Sequence, residues 1–311
     1  MDMKVTAKNT VTMITLAVIA ALVVILILIA TRPISLPFIS SYIKDQLESH
    51  FQAFNVDFDS LHTQWHPLNG VINFHLGTVR AVDYDNNNLA AAPKVIIEII
   101  ANSVLKNIKK INTVVIHNPK ISLIRSIGGA LKFDIGNTHD GSSRRVLETI
   151  LLNAHTTSSK TDQDTDSPIN FRIVNSDLTL SDEISGSLLR VPNAYIDLIP
   201  QNNEVNCNYK FNVFASGEYL NVLGNCSYNT DNKHFNLSVN LDEVRPALLT
   251  EFFPQFMYFK PLEVQLSGKV QLEFDNLLHV TNAEFDLTSE KGTLEVIETL
   301  GKNLEINSLY I

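Results

Sequence analysis

His62 and His66 are the closest pair among the nine histidines, and a spacing of four could set both imidazoles on one helix face to share a divalent metal. The local sequence opposes that. Trp65-His66-Pro67 ends an alternating, strand-like stretch, and Pro67 disfavours helix at the residue before it, so a surface loop is the plainer reading and no metal site is expected. Asp57, Asp59, Asp83 and Asp85 fall at strand ends or turns, where solvation accounts for them. The two cysteines, Cys207 and Cys226, are too few for a disulfide scaffold and lack zinc-ligand spacing. One bridge is the most they can make. No G-x-S-x-G, H-E-x-x-H, P-loop or G-x-G-x-x-G motif occurs, so neither an enzyme nor a cofactor is expected. Asn225-Cys226-Ser227 and Asn236-Leu237-Ser238 fit the glycosylation pattern, a tripeptide that also arises by chance.

The cysteines lie in the best-specified element of the chain. A turn at Ser216-Gly217 makes opposite residue numbers sum to 433, pairing Val213 with Leu220, Phe211 with Val222, Tyr209 with Gly224 and Cys207 with Cys226. One face of that hairpin is then apolar, and the other carries Asn206, Asn208, Lys210, Asn212, Asn221, Asn225 and Ser227. A slip of one residue would exchange the faces, so pattern and turn fix the same register. Upstream, the same period of two runs through Ile72, Phe74 and Leu76, then Val95, Ile97 and Ile99, with the polar turn Asp85-Asn86-Asn87-Asn88 between them. Ile111–Ile116, Ile121–Arg125 (with Ile121 and Leu123 on one face) and Leu131–Ile135 continue the series, punctuated by Asn118-Pro119 and Gly128-Gly129. Short strands joined by turns predict an antiparallel meander. A short helix is expected around Val146, Leu147, Ile150 and Leu151, a flexible loop from His155 to Pro168, and a helix within Val244–Phe253.

Something must hold these strands in place, and Val11–Ala30 supplies it: there is no charge between Lys8 and Arg32, and thirteen of the twenty residues are Leu, Ile or Val. At about 1.5 Å per residue the run covers about 30 Å, the depth of a bilayer's hydrocarbon core. A cleaved signal is the competing reading, but its apolar stretch is usually about 7–15 residues, and Leu28 is bulky for the −3 position. Lys4 and Lys8 keep the N-terminus cytoplasmic, which places the bulk of the chain outside. Beyond Pro33 and Pro37, Ile39, Ile43, Leu47, Phe51 and Phe54 recur at helical spacing, either lying on the membrane or capping a β-domain. Net charge is −9 with no basic block, so nucleic acid is not an expected partner. The expected layout is a tail at 1–10, a transmembrane helix at 11–31, an amphipathic helix at 34–55, a first β module at 56–135, a short helix and loop at 136–168, and a second β module at 169–311.

The order of anchor, Pro-led helix, Trp65 before a strand, and the run INTVVIHNPKISLIRSIGGALKF resembles the start of AsmA-like proteins, closest to the YhdP branch. Asn118-Pro119-Lys120-Ile121-Ser122-Leu123-Ile124-Arg125 matches that branch's "p-x-l-x-l-x-R" strand. A second match runs from Leu241-Asp242-Glu243-Val244-Arg245-Pro246-Ala247-Leu248 to Pro261-Leu262-Glu263-Val264-Gln265-Leu266-Ser267-Gly268. The resemblance implies a mainly β fold forming an elongated antiparallel β-groove, or half-barrel. It also implies a single-pass protein of a bacterial inner membrane, with its bulk in the periplasm, passing phospholipid toward the outer membrane. Membrane phospholipids are the implied partners, joined by further envelope subunits that complete the groove. The groove lining would include Ile72, Phe74, Leu76, Val95, Ile97, Ile99, Ile121, Leu123, Tyr209, Phe211, Val213, Leu220 and Val222. Members of that branch are far longer than 311 residues. The alternative is an assembly factor for outer-membrane proteins that binds polypeptide through strand edges.

Overall fold

The computed structural model describes residues 54–66, 69–101, 111–128, 131–136, 169–201, 203–215, 218–252, 262–275, 280–289, 292–296, 302–306 and 309–310, with scattered positions at 18–47, 143–149 and 257. The period-two segments become strands: β1 (Ile34–Ser35), β2 (Asn55–His66), β3 (Val71–Val82), β4 (Asn88–Ile100), β5 (Ile111–His117), β6 (Lys120–Arg125) and β7 (Leu131–Ile135). Beyond residue 168 come β8 (Asn170–Asp182), β9 (Ser187–Gln201), β10 (Glu204–Ala215), β11 (Glu218–Asn229), β12 (Phe235–Val244), β13 (Leu262–Val264), β14 (Leu266–Phe274), β15 (Val280–Ser289), β16 (Gly292–Val296), β17 (Lys302–Ile306) and β18 (Leu309–Tyr310). One helix, α1 (Pro246–Phe252), falls inside the stretch expected to be helical; its proline suits the first turn, where no amide donor is needed.

Most of the chain is one sheet, ordered β1-β2-β3-β4-β5-β8-β9-β10-β11-β12-β14-β15-β18, beside a small sheet β13-β16-β17. This corrects the expected antiparallel meander. The sheet is mixed, because β8 runs parallel to both β5 and β6. Both pairings keep the same offset of 57 residues, so β5 and β6 are one interrupted strand laid along β8, with β7 folding back on β6. A parallel pair needs a crossover of a dozen residues or more, and 136–168 provides it. β8 joins the strands before and after residues 136–168 in one sheet.

The helical segment at 34–55 is also shorter than expected, since Ile34–Ser35 pair with Thr63 and His62 as β1, and Asn55 opens β2. Ser40, Ser41, Ile43, Lys44, Asp45 and Leu47 are helical, and Ile43 and Leu47 are buried in the main core cluster. The expected span at 11–31 lies outside the described residues except for Val18–Ala21 and Val24, which are helical and exposed. Among the described residues no helix is long and apolar enough to cross a membrane. The loop at 155–168 also lies outside them.

A line of irregular residues crosses the strands at one level. Thr78, Asn118, Asn175 and Asn193 have φ of 46°, 53°, 55° and 61°. At that level each strand takes up one extra residue, so the buried positions shift from odd to even or back. On β3 Leu76 gives way to Val79 and Ala81, and on β4 Val95 gives way to Ala92 and Ala90. On β8 Phe171 gives way to Ser176 and Leu178, and on β9 Ala194 gives way to Val191. Because neighbouring strands step together, β2, β3 and β4 keep a constant register through the step. The seam is tied where β5 meets β6: the Asn118 amide donates to the Val174 carbonyl (2.9 Å), while the Asp177 amide and the Ser176 hydroxyl donate to that of Pro119 (3.0 and 3.1 Å). A β-bulge leaves its extra residue outside the ladder, and asparagine tolerates the left-handed backbone better than most side chains.

Candidate functional site

Following partners from strand to strand gives two apolar rows on one face of the sheet. The first is Leu61, Leu76, Val95, Ile116, Ile173, Ile196, Tyr209, Gly224, Val239, Val270 and Phe285. The second is Thr63, Phe74, Ile97, Val114, Phe171, Leu198, Cys207, Cys226, Leu237, Leu272 and Ala283. Ten inter-strand steps of about 4.8 Å make each row about 48 Å along its contour. The opposite face carries the polar row Arg172, Asp197, Asn208, Asn225, Ser238, Gln271 and Glu284.

Burial changes along the rows. Leu76 and Ile97 are 1 % exposed, Leu198, Val239, Leu237, Val270 and Leu272 are half-buried, and Phe285 is 52 % exposed. At the buried end, Leu47 and Val146, the latter from the crossover, help to line a partly open pocket of about 110 Å³. The described residues that line it are all apolar, Ala90 and Ala92 among them.

The row changes character at Tyr209, whose ring lies across Gly224 on β11 and whose hydroxyl donates to the Ser238 carbonyl on β12 (2.9 Å). A Cβ at position 224 would stand 2.3 Å from the Tyr209 hydroxyl and 2.2 Å from the Ser238 carbonyl, so only glycine leaves room for the ring. Phe211 stacks on the same ring, centroids 4.9 Å apart.

The structure pairs Ile72 with Ile99, Phe74 with Ile97 and Leu76 with Val95, and Phe211 with Val222 and Val213 with Leu220 in the 433 register. That register holds from Glu204↔Asn229 to Ala215↔Glu218, and the two turn residues lie outside the described ones. Ile121 and Leu123 adjoin Leu178 and Leu180; Ile121 belongs to the main core cluster, and Leu123 is half-buried. Sequence reasoning missed β12, β14 and β15 as part of the face. The signal is visible as Leu237/Val239/Leu241, Val270/Leu272/Phe274 and Ala283/Phe285/Leu287.

Cys207 and Cys226 stand directly opposite one another as free thiols, Cys207 buried and Cys226 half-buried. A hydrogen bond between the thiols holds Cys207 below the ordinary thiol value and pushes Cys226 up. His62 and His66 lie on a strand rather than a loop, and His62 is opposite His75. Among the described residues no group of three or more His, Cys, Asp or Glu could hold a metal ion. Among the described residues, what this face offers a ligand is apolar contact along two rows, with the Cys207–Cys226 thiol pair in the second.

No family model, curated protein or solved structure matches this chain.

Proposed function

We propose that this is a membrane-anchored lipid-binding protein whose apolar sheet face, an open β-groove, carries phospholipid acyl chains between the inner and outer membranes of a bacterial envelope. The observation that carries the reading is the pair of apolar rows running from β2 to β15 and losing their cover toward β15. A sheet that needed only a core would end its apolar face where its cover ends. Here the face continues, and acyl chains are the ligand that wet apolar surface of this length suits. The AsmA-like resemblance points the same way, and the hydrophobic segment at 11–31 supplies the anchor.

A second reading has one observation in its favour. Among the described residues, β15 pairs on its outer side only at Thr288 and Ser289, leaving an edge that an extended polypeptide could join, as an assembly factor for outer-membrane proteins would require. Extraction in gentle detergent followed by mass spectrometry separates the two. Stoichiometric phospholipid, together with lipid adducts from a photoreactive residue at position 211, is expected of the groove. A copurifying polypeptide without lipid sinks it.

A further inference from the structure

Imidazoles of β2, β3 and β5 gather on the face opposite the apolar rows. His62 of β2 stands across from His75 of β3, and Lys94 of β4 across from His117 of β5. An open cleft of about 460 Å³ lies over this patch, lined by Ser60, His62, Gln64, His75 and Lys94, with Gly77 adding no side chain between Ser60 and Lys94. Among the described residues no carboxylate lines it, although the chain carries a net charge of −9. Asp57 and Asp59 pair with Lys44 and Arg80, Asp197 pairs with Arg172, and Glu98 lies one row away, opposite Asn73. Burial, and then Lys94, His66, His117 and His62, hold His75 below the ordinary imidazole value, and its Nε2 is buried without a hydrogen-bond partner. Like charges directly opposite one another destabilise a sheet, so protonating this cluster calls for an anion.

The path of the chain says which anion is near. Ser35 of β1 pairs with His62 only four residues past the apolar segment at 11–31, and at about 3.5 Å per residue that places this patch within about 14 Å of the end of the anchor. The layer just outside a bilayer's hydrocarbon core, about 5–7 Å deep on each side, is headgroup phosphate. We infer that the cleft holds the phosphodiester of a phospholipid still in the membrane, clasped by Lys94 and His62 over His75, with a proton taken up as it binds. The sheet lies between this cleft and the apolar rows, so the lipid bound here is a docking contact rather than cargo. The inference rests on the anchored, lipid-binding reading for its choice of a lipid phosphate.

NMR of the full-length protein in maltoside micelles, labelled at the imidazole Cε1 positions, tests it against two short-chain lipids. Dihexanoylphosphatidylglycerol has a phosphodiester that keeps one charge across the titration, and dihexanoylglycerol lacks it. The first should raise the titration midpoint of His75, assigned with His75→Gln, by about one pH unit, which by linkage is binding about tenfold tighter to the protonated protein. The second should leave the midpoint in place. Lys94→Gln combined with His62→Gln, both exposed positions, should lose most of the shift. No shift with phosphatidylglycerol, the same shift with dihexanoylglycerol, or a full shift in the double variant overturns the site. Dimethyl phosphate acting as strongly as the lipid would make it a site for free anions and overturn the membrane assignment. Lipid adducts from position 211 without the His75 shift keep the acyl-chain reading and remove this site; the shift without adducts does the reverse.

Discussion

At the scale of single residues, the apolar face places a reactive pair where nothing else on it is reactive. A two-residue turn makes Cys207 and Cys226 a hydrogen-bonded cross-strand pair, with Cα atoms about 5.5 Å apart, inside disulfide range. Oxidised glutathione should therefore convert the folded protein to a form with both thiols joined, releasing two molecules of reduced glutathione; intact-mass and peptide mapping would show it. If short bifunctional thiol reagents never link them either, the register is wrong. On the other face, His75 is held below the ordinary imidazole value by burial, then by the positive groups facing it: Lys94, His66, His117 and His62. Burial and then Lys94 lower His117 likewise. A histidine depressed in the fold takes its proton more readily when unfolded, so its contribution to stability is complete above about pH 6.5 and is lost as pH falls through the folded value. Asp57, lowered chiefly by its hydrogen bond from Lys44, adds a further loss in the carboxylate range. Urea titrations between pH 7 and pH 5 should show declining stability, with a shallower slope in His75→Gln. An unchanged slope would remove His75 from the account.

The elements show where sequence suffices and where it does not. The hairpin of β10 and β11 was legible throughout, because a centred turn and an unbroken alternation on both strands leave one register. The seam was not. A strand that takes up an extra residue at Asn118, Asn175 or Asn193 reads in sequence as one stripe ending and an unrelated one beginning; thus Ile72/Phe74/Leu76 was visible and its continuation in Val79/Ala81 was not. The parallel placement of β8 was equally hidden, since nothing local to β5 specifies a partner across the crossover. If the seam needs left-handed backbone, Asn175→Gly should change stability by no more than about 0.5 kcal/mol, while Asn175→Val, a β-branched residue ill-suited to positive φ, should cost about 1–2 kcal/mol. Chemical denaturation of the two variants measures the difference. Equal losses would mean that the asparagine side chain, rather than its backbone, is what matters there.

For the whole molecule, the change of burial along one continuous face predicts that the same substitution will have opposite outcomes at its two ends. Ile97→Asp places an unpaired carboxylate in the fully buried end and should cost about 3–5 kcal/mol, enough to unfold the domain. Phe285→Asp, on an exposed position, should stay within about 1 kcal/mol of wild type while weakening lipid retention. Thermal melts of both, beside a lipid assay of the second, test the gradient; equal destabilisation would mean that the far end is covered too. The strand order also bears on how such a protein could change over generations. Between β9 and β12 each strand places one residue in each row and presents a polar outer side, so duplicating a hairpin there would lengthen both rows by about 9.5 Å. Neither face would need a new residue, and the cavity at the buried end would be left as it is. Reach in this architecture is thus a count of repeats, adjustable in steps of two strands, whereas the buried end evolves as a separate trait.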